Sequence, residues 1–198
     1  RKMGAKQNAK KPLLINDLKK IIKVIDEEKN NLKKLLNKAL LLIGFAGGFR
    51  RSELVSIEYD DLDFVTEGVK IIVKRSKTDQ TGLGMIKAIP YFENKTYCPV
   101  TSLRNWINIS KIDNGRIFNI SDKTVALTIK KYASLAGLDY KKYSGHSLRS
   151  GFATSTAETG ADERSIMAMT GHKTTQMVRR YIHESNLFKN NALNKVKL

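Results

Sequence analysis

This sequence has little that would support a covalent framework, a membrane span or a metal centre. It contains one cysteine, Cys98, so no intrachain disulfide can form, which is compatible with a reducing compartment. Its longest apolar run, ALLLIGFAGGF over 39–49, is about half of what a membrane span requires. No signal-peptide pattern is present, and no membrane partner is expected. Three histidines and scattered acids make no metal-ligand spacing, so neither a metal nor another cofactor is expected. There is no internal repeat and no low-complexity tract. Acidic residues are scarce: 19 Asp+Glu stand against 36 Lys+Arg, a net charge of +17 spread along the chain. Such a field attracts polyanions, with nucleic acid the usual partner. An anionic membrane surface fits less well, because no long basic amphipathic helix stands out.

A chain of 198 residues has room for one domain with a real core. It begins with Arg1, not Met, and reads as a piece of a longer protein. Residues 1–11 (RKMGAKQNAKK) carry five cations and no acid, and are expected to be a linker or arm. Helical spacing then appears at Leu18, Ile21, Ile22 and Ile25, with Asn16 or Asp17 available as a cap. A second helix is expected over 31–46, stopped by Gly47-Gly48, and a short one over RRSELVSI. Period-2 character follows in VKIIV (69–73) and MIKAIP (85–90), joined by the polar loop KRSKTDQTGLG, with a third strand near 61–65. Helices are expected again at about 100–109, 122–136, 147–158, 162–169 and 175–182. Residues 185–196 show a modest apolar stripe of Leu187, Phe188, Ala192, Leu193 and Val196. The fold class is mainly α with a small antiparallel β-sheet (α+β).

Four short boxes carry chemistry. GGFRRSEL (47–54) delivers Arg50 and Arg51 to a helix start, with Glu53 three residues beyond Arg50 and able to orient it. GHSLRSG (145–151) sets His146 and Arg149 three apart, on one helix face. The hairpin loop contains SKT, hence Lys77. Finally MTGHKTTQMVRRYIH holds Gly171-His172 and, nine residues past His172, Tyr181 behind Arg179 and Arg180. Each box alone is common, and a half-buried packing tyrosine or a solvated ion pair would explain any one of them.

In this order and spacing, the boxes resemble the tyrosine recombinases, or phage-type integrases, over roughly residues 12–185. The resemblance implies a catalytic domain of the DNA breaking-rejoining type at 12–184, and a C-terminal segment at 185–198 that docks on a neighbouring protomer. An ordinary capping helix in cis explains that stripe as well. It further implies an N-terminal core-binding domain that this chain is too short to include. The implied catalytic set is Arg50, Lys77, His146, Arg149, His172 and the nucleophile Tyr181, supported by Glu53. The box favours Arg50 over Arg51; Lys74 and Lys87 are the rivals of Lys77; Tyr140 and Tyr143 rival Tyr181 by type but lack the spacing. The implied partner is double-stranded DNA, handled by a homo-tetramer, with a monomer open to the isolated chain. The implied setting is cytoplasmic and nucleoid-associated, in a prokaryote, phage or mobile element.

The residue types suit the chemistry. Two guanidiniums can clamp the two non-bridging oxygens of a pentavalent phosphate. A lysine can protonate the departing 5′ oxygen. On this reading His146 takes the phenol proton and His172 donates to the phosphate. A phenol, with an ordinary pKa of about 10, needs a base and a cationic surround to attack near neutrality. The product is a 3′-phosphotyrosyl bond that conserves the ester energy, so ATP is not needed. The alternatives are a type IB topoisomerase-like relaxing enzyme and a non-catalytic DNA-binding relative. Lys123, Lys130, Lys131, Lys141 and Lys142 are the candidates for phosphate contact.

Overall fold

The computed structural model describes residues 10–74, 84–186 and 194. Helix α1 covers Ile15–Asp26, and its four periodic residues Leu18, Ile21, Ile22 and Ile25 are all buried. It starts before either expected cap. Asp17 is used otherwise: its carboxylate accepts from the Tyr143 hydroxyl at 2.7 Å and from the Lys11 ammonium at 3.0 Å. Helix α2, Asn31–Ala46, is capped by Asn30, whose side chain accepts from Lys33 N at 2.9 Å. Ala39 through Ile43 are buried without a break, so the C-terminal half of α2 is enclosed on every side, while its first turn stays exposed. It is the central pillar; each of its buried Leu and Ile side chains contributes about 1.5–3 kcal/mol.

The short α3 (Arg51–Val55) leads into strands β1 (Leu62–Val65), β2 (Gly68–Val73) and β3 (Met85–Pro90). They form one antiparallel sheet in the order β1-β2-β3, with Val69 opposite Ile89 and Ile71 opposite Lys87. Helices α4 (Pro99–Ser110), α5 (Asp122–Leu135), α6 (Ser147–Glu158), α7 (Glu163–Thr170) and α8 (Thr175–Asn186) complete the described fold. The α+β expectation holds. Cys98 is a buried free thiol that caps α4, accepting from Thr101 N. Trp106 packs against the core and donates to the Ile117 carbonyl at 2.9 Å. The stripe expected at 187–196 lies outside the described residues.

Two apolar clusters set the layout. The large one joins α1, α2, α4, α5 and the sheet; the small one, Ala153, Ala157, Ile166 and Val178, joins α6, α7 and α8. The small cluster positions the C-terminal helix. Residues 10–13, partly read as a free arm, lie along the start of α6. Lys11 N donates to Lys142 O at 2.7 Å and Leu13 N to Ser147 O at 2.8 Å. A Cβ at Gly151 would collide with the Leu13 carbonyl oxygen, so only glycine admits this approach.

Candidate active site

The diglycine after α2 does more than stop a helix. Gly48 has φ +53°, a conformation open to glycine at little cost, and its carbonyl accepts from Arg149 Nη1 at 2.8 Å. The Gly47 carbonyl accepts from Lys87 Nζ at 2.7 Å. Arg50 follows as the N-cap residue of α3. Its backbone N donates to Glu53 Oε2 at 2.9 Å, and its guanidinium donates to Glu53 Oε1. Glu53 is buried, and it fixes Arg50 as the sequence suggested. Arg51 turns elsewhere, toward Asp122 on α5 at 3.8 Å.

Arg149 enters from α6 and is 1% exposed. Burial, then the charge of Arg50, lowers its pKa to about 10, so it stays protonated at neutral pH. His146, at the head of α6, keeps an exposed edge. Desolvation and the guanidiniums of Arg149, Arg50 and Arg51 nevertheless hold its pKa below the ordinary value. His172, just past α7 and Gly171, is buried, and its pKa falls to about 4 by desolvation and the facing cations. Both imidazoles are therefore neutral at pH 7. Tyr181 reaches the same place from α8: its ring centroid is 5.9 Å from that of His172, at a 33° tilt. It is half-buried against the small apolar cluster, so packing holds the ring at the site. Of the preceding cations, Arg179 bonds Glu163 at 3.0 Å, and Arg180 lines the cavity.

That cavity has a volume of about 530 Å³, and its walls include Lys10, Lys11, Ser150, Thr154, His146, His172, Arg180 and Tyr181. One chain thus supplies every described member of the set. A convergence of guanidiniums, neutral imidazoles and a phenol can hold a tetrahedral oxyanion and move one proton. The rivals are placed as well. Lys74 is engaged by Glu58 and Asp61, each at 2.8 Å, which raises its pKa. Tyr143 is buried on Asp17, and Tyr140 is exposed in the turn before α6. Lys77 lies outside the described residues. Among the candidates for phosphate contact, Lys141 and Lys142 lie beside Lys10 and Lys11 at the cavity edge. Lys131 lies 3.9 Å from Glu28, and Lys130 is its neighbour on α5; Lys123 stands at the head of α5 next to Asp122. Among the described residues, no cluster of His, Cys, Asp or Glu could hold a metal ion, and no helix is long and apolar enough to cross a membrane.

Lys87 has a larger part than its sequence context suggests. It is wholly buried on the inward face of β3, donating to the Gly47 and Met169 carbonyls, with its ammonium 4.4 Å from the centre of the Phe49 ring. It ties the segment that carries Arg50 to the segment that carries His172. Desolvation lowers its pKa to about 7 from 10.5. The folded form sheds this proton near pH 7, whereas the unfolded chain keeps it up to about 10.5, so folding releases a proton between those values. Stability should then rise with pH by up to ~1.4 kcal/mol per unit across that window. Denaturant unfolding at pH 7 and pH 9 should show this increment in the wild type and lose it in Lys87→Met; equal slopes in the two proteins would refute it.

The Phage integrase family model matches residues 12–187. The chain is 46% identical to an integrase/recombinase XerD homologue of Selenomonas ruminantium, over 99% of this chain and 60% of that protein. It is 30% identical to the tyrosine recombinase XerA of Pyrococcus horikoshii, over 95% of this chain and 62% of that protein. The fold matches the XerH site-specific recombinase in a post-cleavage complex with its palindromic difH substrate, with a TM-score of 0.78 at 19% identity, over 98% of this chain and 55% of that one. It also matches a XerA recombinase crystal structure at a TM-score of 0.72 and 20% identity, over 100% of this chain and 68% of that one. The chain spans about 60% of the length of the most similar relatives named here. With the family model covering residues 12–187 and a relative 46% identical over 99% of the chain, this chain belongs to the phage integrase family of tyrosine recombinases.

Proposed function

We propose that the chain is the catalytic portion of a site-specific DNA recombinase that cuts and rejoins strands through a 3′-phosphotyrosyl intermediate. The observation that carries this reading is the gathering, within one chain, of Arg50, Arg149, His146, His172 and Tyr181. The buried Arg149 beside Arg50 leaves a net positive hollow, since the single carboxylate of Glu53 faces two guanidiniums. A scissile phosphodiester supplies the missing negative charge. Arg50 and Arg149 take the non-bridging oxygens, and Tyr181 attacks phosphorus from the opposite side to the departing 5′ oxygen. Lys77 is the proposed donor to that oxygen.

The proposed partner is double-stranded DNA, in keeping with the net charge of +17 and with the DNA-bound relatives. The proposed working unit is a homo-tetramer on two DNA sites, with the apolar stripe of Leu187, Phe188, Ala192, Leu193 and Val196 as the docking segment. The proposed setting is a prokaryotic, phage or mobile-element genome, as for the relatives named. A nicked duplex that loses its short 5′-hydroxyl fragment after cleavage tests the reading directly. The chain should accumulate as a covalent protein–DNA species on a denaturing gel, without ATP. Failure to do so on any nicked duplex carrying its target would refute the proposal. Supercoil relaxation without a junction product would reassign it to the topoisomerase-like alternative.

A further inference from the structure

The diglycine turn that delivers Arg50 is gripped from two sides. Arg149 of α6 donates to the Gly48 carbonyl at 2.8 Å, and Lys87 of β3 donates to the Gly47 carbonyl at 2.7 Å. Phe49 is 2% exposed, and its ring lies 4.4 Å from the Lys87 ammonium. A Cβ on Gly48 would stand 3.0 Å from the Phe152 ring and 3.2 Å from Thr170 Cγ2, so α6 and the end of α7 close on the same turn. Arg50 comes next, its backbone placed by what holds residues 47–49.

The same lysine nitrogen holds a second segment. A helix leaves its last carbonyls without intrahelical partners. In α7 one of these is Met169, and Lys87 Nζ donates to it at 2.5 Å across 82 residues of sequence. A cation there also meets the negative end of the helix dipole. Gly171 follows with φ +64°, its N–H closing on the Met167 carbonyl at 2.7 Å. His172 comes next, with Nδ1 2.8 Å from Thr170 Oγ1. The end of α7 and the imidazole are therefore placed together.

Lys87 is 0% exposed and is committed to two carbonyls, so it reaches neither DNA nor a departing oxygen. It acts only through what it holds. An ammonium has three hydrogens, and loss of one would still leave a hydrogen for each carbonyl. An apolar side chain could pack on Phe49 as well, but it would leave both carbonyls unanswered. We infer that Lys87 is a positioning residue for strand cleavage: by joining the Gly47 and Met169 carbonyls it fixes the gap between Arg50 and His172, and with it the width of the hollow that receives the scissile phosphate. This rests on the recombinase reading above.

Cleavage of the nicked duplex by the whole chain tests the inference. Loss of the short fragment makes the step irreversible, so the yield counts folded protein and the rate reports geometry. Lys87→Met, which keeps the length and loses the donors, should cleave ~10–100-fold more slowly at unchanged yield and unchanged DNA affinity. Lys87→Arg, whose guanidinium can donate to both carbonyls, should recover most of that rate. Lys87→Gln, shorter and able to reach one carbonyl at most, should fall between them, and it serves if Lys87→Met does not fold. A wild-type rate in Lys87→Met or Lys87→Gln, or a Lys87→Arg protein as slow as Lys87→Met, would overturn the inference. A loss confined to yield would overturn it too, since that is a defect of folding. A second readout needs no cleavage. Side-chain ¹⁵N spectra should show the His172 ring and the Arg50 Nε–H shifted in Lys87→Met and restored in Lys87→Arg; unmoved signals would overturn the bracket. A wild type that forms no adduct at all would sink the recombinase reading, while the nitrogen signals would still decide the bracket.

Discussion

Tyr181→Phe should bind DNA as the wild type does and form no covalent species. The expected loss is at least ~10⁴-fold, the scale on which removal of a nucleophile acts. The substitution is clean for a structural reason. The ring packs against the cluster of Ala153, Ala157, Ile166 and Val178, and phenylalanine retains that packing. Only the oxygen that would bond phosphorus is lost. A melting temperature within a few degrees of the wild type, with intact binding and no adduct, is the predicted pattern. The gel would overturn the assignment if the Tyr181→Phe protein still became attached to DNA; Tyr140, exposed ahead of α6, would then be the next suspect.

Arg149→Lys should have the second largest effect, a drop of ~10²–10³ in cleavage rate, with binding weakened far less. Lysine keeps the charge and gives up the planar fork that can bridge two oxygens. It also makes a poorer partner for the Gly48 carbonyl, now bonded at 2.8 Å. The charge is costly where it stands, buried and next to Arg50, and on the proposed reading an entering phosphate would offset that cost. A phosphate should therefore stabilise the wild type against unfolding more than it stabilises the lysine variant. Single-turnover cleavage and equilibrium binding, measured on the same nicked duplex, separate the two roles. Equal losses in both would make Arg149 an anchor and not a stabiliser of the transition state.

Much of the site was legible because its chemistry is written in short local boxes. The Arg50–Glu53 pair needs only a helix start and a three-residue step, and the structure forms it as the spacing implies. The step from His172 to Tyr181 fits a turn and a short helix, and the two rings do meet. What was illegible depends on the path of the backbone between elements. In MIKAIP both alternating faces contain apolar residues, and the face of Ile86 and Ala88 looks the more core-like. The strand instead turns Lys87 and Ile89 inward, because Gly47 and Met169 present carbonyls there. Thr170 gives no signal in the sequence, because an i,i+2 bond to an imidazole exists only when the intervening glycine is left-handed. Asp17 looked like a cap, but a long-range phenol and an ammonium claim its carboxylate. Residues 10–11 read as a free arm by charge alone, and the close approach at Gly151 shows where the segment leading from them is seated.

The central claim is that one phenol of this chain becomes esterified to the DNA it cuts. Trapping the wild type on a nicked duplex, digesting both components and sequencing the nucleotide-bearing peptide by mass spectrometry tests it most directly. The predicted result is a phosphotyrosyl nucleotide on Tyr181 and on none of the other tyrosines. A nucleotide carried by Tyr140, by Tyr143 or by a serine would contradict it.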